Sequence, residues 1–218
     1  MTWFIENFIK YSHEKIKVLD VGSCDVNGSY RHLFDDRFIY TGLDVVEGAN
    51  VDIVTNPYNW DLKTDYYDIV ISGQAFEHIE FFWITMAEMT RVLKKGGLMC
   101  VIAPNGFKEH RHPVDCYRFF SDGMVALARW CKLQVLHAST NLAPSPDCKD
   151  WYSEHNADTI LVAQKNYSGI RFLDLTNYKC IPVSLKYPLV EGKKTGIVKR
   201  IIRKIVSDKY VLPFSKRG

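Results

Sequence analysis

The sequence predicts an α/β fold, a mostly parallel sheet covered by helices on both faces. Three observations carry this. Short apolar, β-branched runs recur near residues 16–21, 38–44, 51–54, 68–72, 98–103, 132–138 and 159–164. Helical spacings fall between several of them, near 28–34, 83–94 and 121–131. The first two runs close on Asp20 and Asp44, and Gly22 follows the first. Alternating strands and helices lead to parallel pairing, with ligands bound at the carboxyl ends of the strands.

Each element has its own warrant. An opening helix is expected over Trp3 to Ser12, where Trp3, Phe4, Phe8 and Tyr11 approach helical spacing. Ser121 and Asp122 supply caps for the helix at 121–131. Lys94-Lys95-Gly96-Gly97 reads as a helix stop, because basic side chains suit the carboxyl end of the dipole and glycine accepts a left-handed conformation. The core closes near Gln164, so residues 1–165 form the main domain and 166–218 a C-terminal extension. A length of 218 residues suits that division.

Bulk features exclude several classes. No apolar run reaches the roughly 18 residues of a membrane span, and the N-terminus lacks the pattern of a secretory signal. The six cysteines, Cys24, Cys100, Cys116, Cys131, Cys148 and Cys180, contain no C-x-x-C pair, which points to a reducing cytoplasm and gives no metal site. Charge is divided unevenly. From Lys186 to Gly218 ten Lys/Arg face two acids, so the tail carries +8 and the rest of the chain −5. The main domain therefore does not read as a nucleic-acid surface.

Asp20 and Asp44, with the glycine turn between them, outline a pocket for an adenosine group. The loop Gly22-Ser23-Cys24-Asp25-Val26-Asn27-Gly28 is not the dinucleotide G-x-G-x-x-G, and Asp20 and Asp25 would repel a pyrophosphate. A cofactor carrying positive charge and no phosphate fits better: two unit charges about 4 Å apart near a protein surface interact by roughly 4 kcal/mol. S-adenosylmethionine, with its sulfonium and ammonium groups, is such a molecule.

Four fragments in order then resemble class I S-adenosylmethionine-dependent methyltransferases of the broad type 11 group, over residues 16–165. These are Val18-Leu19-Asp20-Val21-Gly22, Tyr40-Thr41-Gly42-Leu43-Asp44, Tyr67-Asp68-Ile69-Val70-Ile71-Ser72 followed by Glu77-His78-Ile79, and Arg91-Val92-Leu93-Lys94-Lys95-Gly96-Gly97. The resemblance implies a Rossmann-like sheet of seven strands with the last antiparallel, and ribose binding by Asp44. Cofactor contacts are expected from Asp20, Gly22, Ser23, Asp44, Asn56, Tyr58 and Gln74. Asn56 stands where many relatives carry an acid, and Tyr58 offers an aromatic face for adenine. Asp68, before an apolar strand, reads as structural.

Methyl transfer is an in-line displacement that asks the protein to align an acceptor and, for a hydroxyl, to remove a proton. The polar segment after the fifth strand, Pro104 to Phe119, resembles an H-x-x-P-x-D-x-x-R pattern of some type 11 relatives at His110, Pro113, Asp115 and Arg118. His110, His112 and Asp115 are the catalytic candidates, with histidine as the natural base near neutral pH. His78, Tyr117 and Arg118 are expected to hold the acceptor. An Asp115–Arg118 ion pair that merely locks the loop is the competing reading.

The acceptor expected by analogy is a small polar molecule, a sugar hydroxyl in surface-polysaccharide biosynthesis. Two alternatives stand beside it: a nucleic-acid or protein methyltransferase that docks by its basic tail, and a non-catalytic cofactor-binding scaffold. Within the tail, Ile197, Val198, Ile201, Ile202, Ile205 and Val206 share one half of a helical wheel, and Lys199, Arg200, Arg203 and Lys204 the other. That apolar half requires burial, against the parent domain, a second copy, or an anionic membrane at the inner face of the cell.

Overall fold

The structure is a computed structural model that describes residues 1–10, 14–26, 28–106, 108–141 and 157–173. Its elements are α1 (Thr2–Phe8), β1 (Ile16–Val21), β2 (Phe38–Asp44), β3 (Ile53–Val54), β4 (Tyr67–Gly73), α2 (Phe82–Val92), β5 (Leu93–Pro104), α3 (Ser121–Trp130), β6 (Gln134–Thr140) and β7 (Asp158–Gln164). The seven strands form one sheet in the order β3-β2-β1-β4-β5-β7-β6. β7 runs antiparallel to both its neighbours, β5 and β6, while the other pairs are parallel. The expected Rossmann-like, seven-stranded sheet with an antiparallel last strand is therefore present.

Alternation along the central strands builds two cores. Leu19, Val70, Met99, Val101, Leu161 and Ala163 face α2 and α3, where Met86, Met89, Val92, Met124 and Leu127 complete the layer. Val18, Ile69, Ile71, Cys100, Ile102, Ile160 and Val162 point the other way and pack with Phe4 and Ile5 of α1 and with Phe34 and Phe38. A sheet buried on both faces is written as continuous apolar strands, which is why they were visible in the sequence. Each fully buried large side chain contributes about 1.5–3 kcal/mol.

Local expectations failed where side chains competed with the backbone. No α-helix forms over 28–34, only a 3-10 turn at Arg31–Leu33. Ser29 Oγ accepts the Arg31 N–H at 3.0 Å, and the Arg31 guanidinium is drawn to Asp52 at 2.5 Å. Such local bonds outcompete a helix's first turn. α3 has Phe120 as its N-cap with no side-chain cap, and the Ser121 N–H goes instead to Thr140 Oγ1 at 2.9 Å. α2 does stop just before the motif, at Val92, and Gly96 is left-handed at φ 85° as expected, but Lys94 to Gly97 lie inside β5. Lys94 binds Asp68 Oδ1 at 2.7 Å rather than serving a helix end, and Asp68 Oδ2 also accepts the Lys17 N–H. α1 ends at Phe8, within the range expected for the opening helix.

The first compact unit runs from Met1 to Asp174, beyond the boundary at 165. Lys165 is fully buried, and its ammonium donates to Asp65 Oδ1, Thr90 O and Leu93 O, each at 2.7 Å. The Leu173 N–H donates to Trp130 O at 2.8 Å, and Phe172 stacks on Trp130. The second unit, Leu175–Gly218, and with it the amphipathic segment 197–206, lies outside the described residues. Among the described residues no helix is long and apolar enough to cross a membrane.

Candidate functional site

The carboxyl ends of β1 and β2 meet as the two acidic runs predicted. Asp20 pairs with Gly42 across the β1–β2 ladder, and the Gly22 and Ser23 N–H groups both donate to Leu43 O. Gly22 is left-handed at φ +80°, and a Cβ there would stand 2.4 Å from the Cβ of Ala75. No other residue fits that turn without strain. Gly42 admits a second close approach, since a Cβ would come within 1.9 Å of Asn50 O. Ser23, buried, donates from Oγ to the same Asn50 carbonyl at 3.2 Å. Asp25 closes the loop, accepting from the Gly28 N–H at 2.7 Å and from Asn50 Nδ2 at 3.1 Å.

The two strand-end acids differ in surroundings. Asp44 is half-buried and accepts from the Cys24 N–H at 2.9 Å on Oδ2, and from the Val45 and Val46 N–H groups at 2.7 and 3.3 Å on Oδ1. Asp20 is buried, and its Oδ2 takes the Tyr40 hydroxyl proton. Its Oδ1 has no protein partner. Burial pushes the carboxyl up to about 6, although Tyr40 and Arg31 pull the other way. The Arg31 guanidinium sits 4.6 Å over the Tyr40 ring and is itself held by Asn50 O and Asp52. This Asp52–Arg31–Tyr40–Asp20 chain went unread in the sequence because its members are scattered.

Other expected contacts are placed as follows. Asn56 Oδ1 accepts the Tyr58 N–H at 2.9 Å, closing a turn that Thr85 of α2 anchors through Pro57 O at 3.1 Å. The Tyr58 ring lies 5.4 Å from Phe81. Gln74 follows β4 in a left-handed conformation, φ 57°, and its amide donates to Asp158 Oδ1 of β7 at 2.9 Å. Tyr30, not read as a site residue, covers Gly73, where a Cβ would meet its ring at 2.4 Å.

The histidines converge on a different carboxylate. After β4 a 3-10 turn, Phe76–His78, presents Glu77 and His78 to the loop that follows β5. The His78 ring lies 4.9 Å from that of His110 and 6.2 Å from that of His112. Glu77 is 1% exposed, its Oε1 is 3.7 Å from His78 Nε2, and neither carboxylate oxygen has a hydrogen-bond partner on another residue. Burial pushes its carboxyl up to about 7. Burial likewise lowers His78 below the usual histidine range, opposed by its bond to Val114 O. In the sequence Glu77 stands only within the Glu77-His78-Ile79 fragment; the signal that could single it out is its place beside His78 in a chain with two more histidines after the next strand.

Asp115 and Arg118 form the loop-locking pair. The guanidinium grips both Asp115 oxygens, at 2.5 and 2.7 Å, and Asp115 Oδ2 also takes the His110 N–H at 2.7 Å. The Arg118 fork holds Asp115 well below the usual carboxylate range. Arg118 further donates to Lys108 O and Tyr117 O. Asp115 holds the His110 backbone directly, and Arg118 holds Asp115. Tyr117 donates to Glu80 O at 2.9 Å, with its ring 4.8 Å from Phe82. The Cys116 N–H donates to Glu77 O at 2.7 Å, tying the loop to the turn after β4. His112 is exposed beside the cluster.

Residues 19–101 match the family model described as a methyltransferase domain. The chain carries a methyltransferase domain. Solved structures similar to it include a S-adenosylmethionine-dependent methyltransferase from Archaeoglobus fulgidus, 12% identical, covering 75% of this chain and 92% of that one at a TM-score of 0.55. Another is 1,6-didemethyltoxoflavin-N1-methyltransferase from Burkholderia thailandensis, with 1,6-didemethyltoxoflavin and S-adenosylhomocysteine bound, 14% identical over 71% and 72% of the two chains, TM-score 0.54. A third is the [4+2]-cyclase SpnF, 16% identical over 70% and 76%, TM-score 0.54. A search of the curated proteins gives no match. At these identities the structural likeness shows the fold alone. The methyltransferase domain contains the strand-end acids Asp20 and Asp44 and the Glu77–His78 turn, whereas the loop with His110 lies just past the matched segment.

Proposed function

We propose that the protein transfers a methyl group from S-adenosylmethionine to a small polar acceptor, a sugar hydroxyl in surface-polysaccharide biosynthesis. The observation that carries the cofactor half is Asp20 Oδ1, a buried carboxylate oxygen with no partner at the end of β1. Such an atom is costly unless a ligand meets it, and the sulfonium cofactor brings the positive charge it lacks. The residues present fit the cofactor. Asp20 would face its ammonium group, Gly22 the backbone approach, Asp44 the ribose hydroxyls, and Tyr58 the adenine face. When bound, the cofactor supplies a methyl group already activated on sulfur.

The chain's own task is then to bring an acceptor oxygen into line and ease loss of its proton. Glu77, His78 and His110 are the groups for it. Asp115 holds the His110 backbone, Arg118 holds Asp115, and Cys116 ties the loop to Glu77, so the cluster is set before the acceptor arrives. The sugar hydroxyl is supported by the small polar set of this loop and by the −5 charge of the chain outside the tail, which does not favour nucleic acid. The tail bears on where the acceptor is met. Its apolar half needs a cover, and an anionic lipid surface is the one that would bring the site to a lipid-linked glycan.

The test pairs calorimetry with an acceptor panel. S-adenosylmethionine is expected to bind the full chain, and mass spectrometry should find a methyl on a nucleotide sugar or oligosaccharide. Methylation of RNA or peptides instead would move the acceptor to another class. Binding with no product across the panel would favour the scaffold reading, and no binding would remove the cofactor assignment.

A further inference from the structure

We propose that Glu77, His78 and His110 form a site for a divalent transition-metal ion of the zinc class. One ligand atom from each of the three lies within 4.8 Å of the others. Tetrahedral zinc, with ligands at about 2.0–2.1 Å, asks for separations of roughly 3.3 Å. The 3.7 Å between Glu77 Oε1 and His78 Nε2 is already close to that, and small side-chain rotations supply the rest.

The hydrogen bonds around the cluster orient it for a cation. His78 Nδ1 lies 2.6 Å from Val114 O, and His110 Nδ1 lies 3.0 Å from Lys108 O. A carbonyl oxygen only accepts, so each Nδ1 carries a proton, and in the neutral ring each Nε2 keeps its lone pair. Histidines that ligate metals are held in this way, with the second ring nitrogen donating to a backbone carbonyl or carboxylate. Loop and turn are fixed together by the Cys116 to Glu77 bond and by the Asp115–Arg118 clamp under His110.

Glu77 supplies the independent observation. Its carboxylate is almost fully buried, and neither oxygen has a hydrogen-bond partner on another residue. At 3.7 Å the nearest ring nitrogen is too far for a hydrogen bond. The neighbouring cation, Arg118, forks onto Asp115 instead. A metal ion would neutralise the charge and satisfy the oxygens in one step. Two imidazoles and one carboxylate suit zinc, cobalt, nickel or ferrous iron rather than calcium or magnesium. Three protein ligands leave a fourth position open for water or an oxygen donor, the pattern of a catalytic rather than a structural site. The assignment rests on these side chains alone and holds whichever acceptor the enzyme uses; with an ion bound, the three would ease loss of the acceptor's proton through an oxygen held at the open position rather than as free bases.

Untagged full-length protein, stripped with a chelator, is titrated with Co2+ and followed by visible absorption, and Zn2+ binding is measured by competition. One equivalent of Co2+ should give intense d–d bands of low coordination number, and Zn2+ should abolish them. Glu77→Gln, His78→Ala and His110→Ala are each expected to weaken Zn2+ about 10²-fold or more. His32→Ala, at an exposed histidine, should leave it unchanged. Thermal melts confirm that each variant folds. Absence of the bands in the wild-type chain overturns the site, as does affinity indifferent to Glu77→Gln. S-adenosylmethionine calorimetry on the same stripped protein separates failure of the metal site from failure of the cofactor assignment.

Discussion

Asp44 and Glu77 both follow a parallel strand, yet their carboxylates are treated oppositely. Asp44, closing β2, is half-buried and receives three backbone N–H groups from residues 24, 45 and 46. Glu77, just beyond β4, is deeper and receives none from any other residue. The first carboxylate is satisfied before any ligand arrives, so the rim it holds is preformed. The second has been taken out of water without compensation, and the fold keeps it there through the bonds of the opposite loop. A group held at such a cost marks where chemistry is concentrated. Asp20 stands between the two, with one oxygen met by Tyr40 and the other by nothing.

The largest test of this contrast is His110→Ala. Removing a ring from the unsatisfied end should lower kcat about 10²–10⁴-fold while cofactor affinity, measured by calorimetry, stays within about twofold. A matching loss of affinity would mean that the two ends are one unit and the comparison fails.

Next is Asp20→Asn, read through stability. Burial raises the folded-state carboxyl from 3.8 to about 6. Below the lower value both states are protonated and Asp20 costs nothing. As pH climbs toward the higher one, the unfolded chain ionises first and the fold loses stability, by about 2–3 kcal/mol at one unit per 1.36 kcal/mol. Asparagine keeps an acceptor for Tyr40 and removes that loss. Urea unfolding should find the variant more stable than wild type at pH 7.5 and indistinguishable at pH 4, with weaker S-adenosylmethionine binding. Equal stability at both values would show that Asp20 is not strained by its burial.

The smallest effect belongs to the satisfied carboxylate. Asp44→Asn keeps one oxygen for the Val45 and Val46 N–H groups but sets an amide NH2 against the Cys24 N–H. A stability loss of about 1 kcal/mol should therefore accompany an affinity loss for the cofactor of about tenfold, or roughly 1.4 kcal/mol, with kcat at saturation unchanged. A stability loss greater than the affinity loss would recast Asp44 as a structural cap.

The same contrast explains what could be read from the chain. The strands were legible because a sheet buried on both faces needs unbroken apolar runs, and Asp20, Gly22 and Asp44 were legible because strand ends and turns are local. The antiparallel direction of β7 came only with the family resemblance, and its slot between β5 and β6 only with the structure, since nothing in residues 158–164 states their neighbour. Residues 28–34 carried a helical pattern that Ser29 and Arg31 spend on other bonds. At the histidine end the residue types were visible, but their partnership was not. Glu77 meets His110 only because β4 and β5 pair, and whether Asp115 faces a substrate or Arg118 depends on how the loop folds back.

The position of β7 also orders the making of the molecule. β5 acquires its second neighbour only when residues 158–164 have been synthesised, and β6, whose pairing is to β7, waits for the same segment. At 5–20 residues per second, the interval between Pro104 and Gln164 is roughly 3–12 s. Throughout it the nascent chain holds an apolar edge, including Cys100 and Ile102, open to chaperones or to other chains. Among the described residues the strand that closes the sheet arrives last, and Lys165, translated immediately after it, reaches back to the carbonyls of Thr90 and Leu93 and bolts it shut.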